Sequence, residues 1–337
     1  MELGSGKNTS KIAVLGCGSW GTALAMQLAR AGNQVCVWGN EPDVLEDIQT
    51  RSRNTKYLED LALPVMNATV DLAQALFGAE AVLVAVPSHA FRSVLKELQA
   101  HLKPNCGLIW ASKGLAENGD FLHEVVAEVL PTHKDIAMLS GPSFAKEVAL
   151  NYPTAVALAA SSAAFAKKTA GYFHAGVFSV YLSSDMIGLQ IGGVCKNVYA
   201  LSAGIIEGLG YGSNTRMAWL TRALAEMRAF GEKVGAKADT IMGLSGCGDL
   251  LLTATDNQSR NKRFGLYVGQ GLNPKEAYEK VGQVVEGAQN LQQLYDKAKV
   301  YGLNLPLLNE IYAILKMNKD PRLAVQAFFA RDLTPEF

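Results

Sequence analysis

Residues 12–21 read Ile-Ala-Val-Leu-Gly-Cys-Gly-Ser-Trp-Gly, and this stretch decides the fold of the first half of the chain. Its apolar start predicts a buried strand, and the small-residue run 22–29 predicts a helix. Gly16, Gly18 and Gly21 permit a tight turn, a close approach of backbone to a pyrophosphate, and helix packing on the strand. The stretch favours a dinucleotide-binding turn, with a purely structural turn as the alternative.

Outward from this turn, apolar runs alternate with amphipathic segments up to about residue 184, which is typical of a parallel sheet covered by helices. The predicted strands are 12–15, 34–38, 81–86, 108–111, 136–139, 155–159 and 178–181. Helical periodicity then takes over, and Ser213, Asn273 and Asp320 mark helix starts. We expect an α/β, Rossmann-type doubly wound domain over residues 1–187 and an all-helical domain over residues 188–337.

The second predicted strand ends in Gly39-Asn40-Glu41. A site that takes only NAD normally has an acid at this tip to bind the ribose. Here the acid is either absent or displaced to Glu41, and Asn40 tolerates a 2′-phosphate without repelling it. Because the tip also lacks an arginine, we expect both NAD and NADP to be used, with NADP slightly preferred.

Polar residues also follow later strands. Lys113 is expected to meet cofactor or substrate, because ligands of open α/β sheets lie beyond the carboxyl ends of the strands. An exposed loop lysine is the alternative. Residues 141–143 either begin a helix, with Glu147 favourable near its N-terminus, or present backbone amides to an anion.

Residues 186–206 form a largely apolar, helix-like stretch with one cation, Lys196. On a helix, Gly193, Ala200 and Ala203 share its face, so small neighbours leave open space beside the ammonium group. Desolvation makes a lysine usable as a general acid or base. The alternative is a packed stem whose head reaches the surface.

The helical half contains one unusually polar passage, residues 246–265. Asp249 precedes three leucines and is expected to point inward, either to cap its helix or to orient Lys196 or a substrate hydroxyl. Residues 259–261, Ser-Arg-Asn, predict a first helical turn that suits a phosphate, with a solvated cap as the alternative. Glu286 lies in a glycine-flanked turn, which is either an ordinary turn or one whose acid reaches a ribose or a nicotinamide amide.

Composition argues against several other functions. Lysine plus arginine and aspartate plus glutamate are equal at 31 each, and basic residues do not gather with aromatics, so nucleic acid is not an expected partner. Isolated histidines and scattered cysteines indicate no metal site. Polar residues within 186–206 argue against membrane insertion. The polar first ten residues lack a secretory signal, so we expect a cytoplasmic protein with a flexible tail.

In this order, the motifs resemble the NAD(P)-dependent glycerol-3-phosphate dehydrogenases of the soluble prokaryotic type. The segments that carry the resemblance are residues 16–21, 112–114, 141–145, 196–200, 248–250, 257–261 and 285–287. The resemblance implies reversible hydride transfer between NAD(P)H and dihydroxyacetone phosphate, giving sn-glycerol 3-phosphate for phospholipid synthesis. A related β-hydroxyacid dehydrogenase and a non-catalytic nicotinamide-nucleotide sensor are the alternatives.

The resemblance also implies residue roles, with Lys196 as general acid/base. The substrate positions are Lys113, Gly141, Ser143, Lys196, Asp249, Ser259, Arg260 and Asn261. Together with the glycines, the cofactor positions are Gly16, Gly18, Ser19, Trp20, Gly21, Asn40, Lys113, Ala145, Arg260, Val284 and Glu286. At Asn40 many relatives carry a basic residue, which bears on the expected NADP preference. The sequence leaves a homodimer as one option.

Overall fold

The structure is a computed structural model that describes residues 9–59 and 61–330. The predicted flexible tail falls mostly on residues 1–8, which lie outside the described residues. The chain divides into two compact units, Met1–Met186 and Ile187–Phe337.

The first unit is built on an eight-stranded sheet with the order β3-β2-β1-β4-β5-β6-β7-β8. The strands are β1 Lys11–Leu15, β2 Gln34–Trp38, β3 Asn67–Thr69, β4 Ala81–Val84, β5 Gly107–Trp110, β6 Ile136–Ser140, β7 Thr154–Ala160 and β8 Phe178–Ser183. Neighbours pair in parallel, except that β6 and β7 are antiparallel. All seven predicted strands are present. Strand β3, which is short and not fully buried, was not among the predicted strands.

Helices of this unit separate the strands, as the alternating pattern predicted. They are α1 Ser19–Arg30, α2 Pro42–Arg51, α3 Thr55–Leu58, α4 Leu72–Leu76, α5 Phe91–Gln99, α6 Leu122–Val129, α7 Ala145–Ala149 and α8 Ala163–Phe173. Strand β1 lies between β2 and β4, so the chain winds outward from β1 in both directions. The switch point of this doubly wound sheet therefore lies at the carboxyl ends of β1 and β4, where such folds bind ligands.

The described part of the second unit is helical throughout, as predicted. Its helices are α9 Met186–Gly208, α10 Ser213–Lys233, α11 Ala238–Met242, α12 Asp249–Thr255, α13 Arg260–Gly269, α14 Pro274–Val281, α15 Glu286–Val300, α16 Pro306–Met317 and α17 Pro321–Phe329, with a π-helical turn, Leu244–Gly248, before α12. Asn273 and Asp320 cap α14 and α17 with their side chains, as their positions predicted.

Helix α9 is the centre of the second unit, since its residues from Gly188 to Ile206 are buried. Glycines let other backbones approach it closely. A Cβ on Gly265 of α13 would lie 1.8 Å from the carbonyl oxygen of Leu201, and one on Gly192 would lie 2.1 Å from that of Ser245. The polar segments around α12 and α13 are thereby held against the helix that carries Lys196.

Candidate functional site

The glycine turn of the first unit has the conformation its sequence predicted. Gly16 has a φ of +122°, and a Cβ there would lie 2.7 Å from the carbonyl oxygen of Ala85. A Cβ on Gly21 would lie 2.0 Å from the carbonyl oxygen of Gly16, so only glycine lets α1 pack this closely.

The space in front of this turn suits a pyrophosphate. A Cβ on Gly18 would meet nothing within 4 Å. Helix α1 starts at Ser19 without a side-chain cap, and its first turn holds no acid. An uncapped helix N-terminus beside open space favours an anion, so the residues present fit a dinucleotide.

At the end of β2, Asn40 is exposed, whereas the carboxylate of Glu41 is held by protein partners. Glu41 accepts a hydrogen bond from the Tyr57 hydroxyl at 2.7 Å and pairs with the Lys56 ammonium group. Partial burial opposes ionisation of this carboxyl, but the bonds from Lys56 and Tyr57 outweigh it and lower its pKa. The displaced acid is therefore already neutralised by a neighbouring lysine.

Lys113, Trp20 and Ser143 come together at the carboxyl end of the sheet. The Lys113 ammonium group donates to the carbonyl oxygen of Gly141 at 3.0 Å and lies 5.7 Å from the Trp20 ring centroid. The Ser143 hydroxyl donates to the same carbonyl at 2.9 Å. Lys113 is half-buried, which argues against the alternative of an exposed loop lysine; that it meets cofactor or substrate stays a prediction.

Residues 141–143 do not begin a helix, so that alternative is wrong. Gly141 has a φ of +143°, and Phe144 is still extended. Helix α7 begins only at Ala145, with Glu147 in its first turn. The segment instead forms a non-helical loop after β6, and that its backbone amides face an anion stays a prediction.

The charged group of Lys196 is paired inside the second unit, so the alternative of a head that reaches the surface is wrong. Its Nζ lies 2.6 Å from Oδ1 of Asp249 and 3.0 Å from Oγ1 of Thr253. Lys196 is 7% exposed and Asp249 is 1% exposed. The three side chains form a buried polar centre beside α9, in which the carboxylate compensates the charge of the cation.

Asp249 points inward, as predicted, but it does not cap α12. It is the first residue of that helix, and no side-chain cap bond is formed there. Thr253 follows one turn later and donates to the carbonyl oxygen of Asp249 at 2.6 Å. Thr253 was not among the predicted site residues, although a hydroxyl four residues after the acid lies on the same helix face.

The predicted phosphate turn is a capped helix start. The Ser259 hydroxyl accepts from the backbone N–H of Lys262 at 3.2 Å, and Arg260, the first residue of α13, is half-buried. Asn261 is buried, and its oxygen accepts from the backbone N–H of Gly287 at 2.9 Å. The first backbone N–H groups of α13 and Arg260 therefore lie at the same end of this helix.

A chain of side-chain amides joins this turn to α15. Nδ2 of Asn261 donates to Oδ1 of Asn197 at 2.9 Å, and Nδ2 of Asn197 donates to Oε2 of Glu286 at 3.1 Å. Asn197 directly follows Lys196 on α9 and was not among the predicted site residues. The chain brings together a predicted substrate position and a predicted cofactor position, with Val284 just before α15.

Two further observations bear on the expected partners. Among the described residues, no group of three or more histidine, cysteine, aspartate or glutamate side chains is arranged to hold a metal ion. None of the helices in residues 9–59 and 61–330 combines the length and hydropathy needed to cross a bilayer.

A doubly wound sheet with this glycine turn at its switch point defines the class of dinucleotide-dependent oxidoreductases. Family profiles place the chain within that class. The profile of the NAD-dependent glycerol-3-phosphate dehydrogenase N-terminus matches residues 11–166, and that of the C-terminus matches residues 185–326. The chain belongs to this NAD-dependent glycerol-3-phosphate dehydrogenase family.

Individual relatives agree. A curated glycerol-3-phosphate dehydrogenase (NAD(P)+) of Yersinia pestis is 45% identical over 327 residues, which is 96% of each chain. The glycerol-3-phosphate dehydrogenase of Coxiella burnetii has 42% sequence identity to this chain. Its crystal structure matches with a TM-score of 0.91 over 96% of this chain and 99% of that one. The yeast enzyme, at 24% identity and a TM-score of 0.82 over 95% and 99%, shares the fold. The predicted family, the dehydrogenase class and NAD(P) use are confirmed.

Proposed function

We propose that the chain interconverts dihydroxyacetone phosphate and sn-glycerol 3-phosphate with NAD(P)H or NAD(P)+, and that Lys196 moves the proton. The observation that carries this proposal is the buried pair of Lys196 and Asp249, at 2.6 Å. The names of the relatives favour this activity over a β-hydroxyacid dehydrogenase, and over a non-catalytic sensor, which has no need of a buried proton donor.

Residues 1–187 are proposed to bind the dinucleotide. The turn of Gly16, Gly18 and Gly21 receives the pyrophosphate, with Ser19 and Trp20 at the start of α1. The cofactor supplies hydride when reduced and accepts it when oxidised. Asn40 is proposed to face the ribose, and the pairing of Glu41 with Lys56 offsets the repulsion that a free carboxylate would exert on a 2′-phosphate. This neutralised strand tip supports the use of both NAD and NADP.

Residues 188–337 are proposed to carry the proton chemistry and the phosphate site. Lys196 donates a proton to the oxygen of the ketone as that oxygen becomes an alkoxide, and it removes the proton again in the oxidative direction. Asp249 holds the ammonium group in place and balances its charge, while Thr253 fixes the lysine from a second direction. A donor held by two partners is oriented before the substrate binds, which lowers the cost of reaching the reactive geometry.

The phosphate of the substrate is proposed to bind at the start of α13. Arg260 offers paired guanidinium donors, and the helix N-terminus behind Ser259 adds backbone N–H groups and a favourable dipole. The side chain of Asn261 already binds Asn197 and Gly287, so we assign its backbone to the phosphate and its side chain to holding the turn. Lys113, Gly141 and Ser143 remain proposed substrate positions of the first unit, with Ala145, Val284 and Glu286 as proposed cofactor positions.

Arg260→Met tests the phosphate assignment through oxidation of NADH and NADPH by dihydroxyacetone phosphate. Loss of charged hydrogen bonds is expected to raise the apparent KM about 10- to 100-fold. Arg228→Met removes an exposed guanidinium on α10 and serves as the control. An unchanged KM in Arg260→Met removes Arg260 from the phosphate site, and oxidation of a β-hydroxyacid in place of glycerol 3-phosphate refutes the substrate assignment.

The cellular setting is also part of the proposal. All five cysteines are free thiols, which supports a reducing, cytoplasmic compartment. There the product would supply phospholipid synthesis. A homodimer stays a prediction, and light scattering on the purified protein measures it.

A further inference from the structure

Lys262 is a second buried lysine of the helical unit, and the proposed reaction does not use it. It is 3% exposed, lower than Lys196. Its Nζ donates to Oδ1 of Asn257 at 2.8 Å and to the carbonyl oxygen of Thr255 at 3.1 Å, and it lies 3.0 Å from Oε2 of Glu207. An ammonium group with this many oxygen partners is fixed in position.

These three partners belong to three different segments. Thr255 is the last residue of α12, which begins at Asp249, and Asn257 lies in the turn between α12 and α13. Glu207 lies in the last turn of α9 and also pairs with Arg216 of α10 at 2.7 Å. One side chain therefore connects the helix of Lys196, the helix of Asp249 and the turn that leads to the phosphate residues.

The backbone of Lys262 is fixed as well. A Cβ on Gly204 of α9 would lie 2.0 Å from the carbonyl oxygen of Lys262, so the first turn of α13 rests directly on α9. The backbone N–H of Lys262 donates to the Ser259 hydroxyl, which closes the cap of α13. Side chain and backbone together set where residues 259–261 stand.

We propose that Lys262 is a positioning residue for phosphate recognition: it holds the turn before α13 so that Ser259, Arg260 and Asn261 face the substrate phosphate in a single arrangement. This inference rests on the proposed phosphate assignment. Lys262 does not touch the phosphate, because its ammonium group is directed to Thr255, Asn257 and Glu207. Lys262 acts by fixing the geometry of the first turn of α13.

A residue that positions a phosphate site has a signature that a merely structural residue lacks. A misplaced binding group selectively harms substrates that carry the phosphate, because their remote binding energy is used to reach the transition state. General loosening of the fold harms all substrates alike. Dihydroxyacetone lacks the phosphate, so comparing it with dihydroxyacetone phosphate separates the two cases.

The experiment measures kcat/KM for both ketones with wild type, Lys262→Met, Lys262→Arg and the control Lys275→Met, an exposed lysine of α14. We expect Lys262→Met to lower kcat/KM for dihydroxyacetone phosphate about 100-fold, since small misplacements cost this much, and to leave that for dihydroxyacetone within about threefold. Lys262→Arg is expected to recover most of the loss, because it keeps the charge and the donors.

Equal losses on both ketones, or no loss on either, overturn the proposal. If Lys262→Met does not fold, Asn257→Ala serves in its place, because it removes one acceptor of the Lys262 ammonium group. We expect it to lower kcat/KM for dihydroxyacetone phosphate, relative to that for dihydroxyacetone, about tenfold. If this ratio of the two kcat/KM values is unchanged, the proposal is also overturned. Arg260→Met separates this failure from that of the phosphate assignment. If Arg260→Met discriminates between the ketones and the Lys262 variants do not, only the role of Lys262 is wrong.

Discussion

Lys196 and Tyr199 are both buried and lie within one turn of helix α9, but their surroundings differ in kind. Lys196 is 7% exposed and faces Asp249 and Thr253 on α12. Tyr199 is 1% exposed, and its hydroxyl donates to Glu226 of α10 at 2.9 Å. Helix α9 thus forms one polar centre with α12 and another with α10.

The Tyr199 centre serves the fold. Glu226 also accepts from the backbone N–H groups of Leu307 and Leu308, at 2.5 and 3.0 Å, and so satisfies the start of α16. Burial, and next the charge of Glu226, raise the pKa of Tyr199 well above its ordinary value, so the phenol stays protonated. This centre joins three helices.

The Lys196 centre differs in chemistry, because it pairs an ammonium group with a carboxylate. Burying an ammonium group beside a carboxylate is costly, and an apolar pair of similar volume often stabilises a core as well. Asp249 does not cap its own helix, and Thr253 bonds within α12. The comparison teaches that burial alone does not mark a functional polar group; what distinguishes the Lys196 centre is a buried ion pair, which a protein core does not need for its stability.

The largest effect expected from this difference is on turnover. Asp249→Asn keeps the shape of the side chain but removes the charge that holds Lys196, so kcat should fall about 10³-fold. Steady-state assays with dihydroxyacetone phosphate measure kcat. The matched control is Asp296→Asn, because Asp296 is an exposed residue of α15. A kcat close to wild type would show that Lys196 does not depend on Asp249.

Glu226→Gln should instead reduce stability. The amide has only one oxygen for two backbone donors and a phenol, so a buried group loses its partner, at a cost of about 2–4 kcal/mol in the free energy of unfolding. Urea denaturation measures this, with the exposed Glu232→Gln of the same helix as control. The folded fraction should turn over at the wild-type rate; a selective loss of kcat would erase the distinction between the two centres.

Thr253→Val should have a smaller effect on turnover. The variant keeps the volume but removes the hydroxyl that contacts the Lys196 ammonium group, and we expect kcat to fall about tenfold, equivalent to one hydrogen bond to a charged group. Thr221→Val loses a similar bond to its own helix, from Oγ1 to the carbonyl oxygen of Met217, away from the site. Equal kcat values for the two variants would remove Thr253 from the proton-transfer centre.

The smallest effect is expected for Tyr199→Phe, about 1 kcal/mol at neutral pH. Because the folded-state pKa of Tyr199 is raised, the folded protein keeps a proton that the unfolded chain releases above about pH 10. The stability from this group is therefore complete below that pH and is lost as the pH rises further. Wild type should lose stability with rising pH more steeply than Tyr199→Phe, as measured by urea denaturation; the exposed Tyr152→Phe should behave like wild type.

Much of this architecture could be predicted from local sequence. Residues 12–15 of β1 and all of β4 are continuous apolar runs, and the glycine spacing is set by backbone geometry. The cap residues Asn273 and Asp320 bind backbone N–H groups two or three positions further along the chain. Strand β3 was missed because it has three residues, Asn-Ala-Thr, with neither an apolar run nor an alternating pattern.

The partners within the site could not be predicted in the same way. Asn197 and Asn261 are 64 positions apart, and Lys196 and Asp249 are 53 apart, so their contacts depend on how α9 packs on α12 and α13. Asp249 before three leucines is typical of a helix cap, and only the packing directs it to Lys196. Lys262 belongs to a basic run, Arg-Asn-Lys-Arg, in which sequence does not distinguish the buried cation from its neighbours.

The most direct test of the central claim is the turnover of Lys196→Met, followed by the loss of reduced-nicotinamide absorbance with dihydroxyacetone phosphate. A fluorescence titration of NADH on the same preparation checks that the dinucleotide still binds. We expect turnover to fall about 10³-fold or more while dinucleotide affinity stays near wild type, because the proton donor is lost and the glycine turn is untouched. Turnover at the wild-type rate would contradict the assignment of Lys196 as the general acid and base.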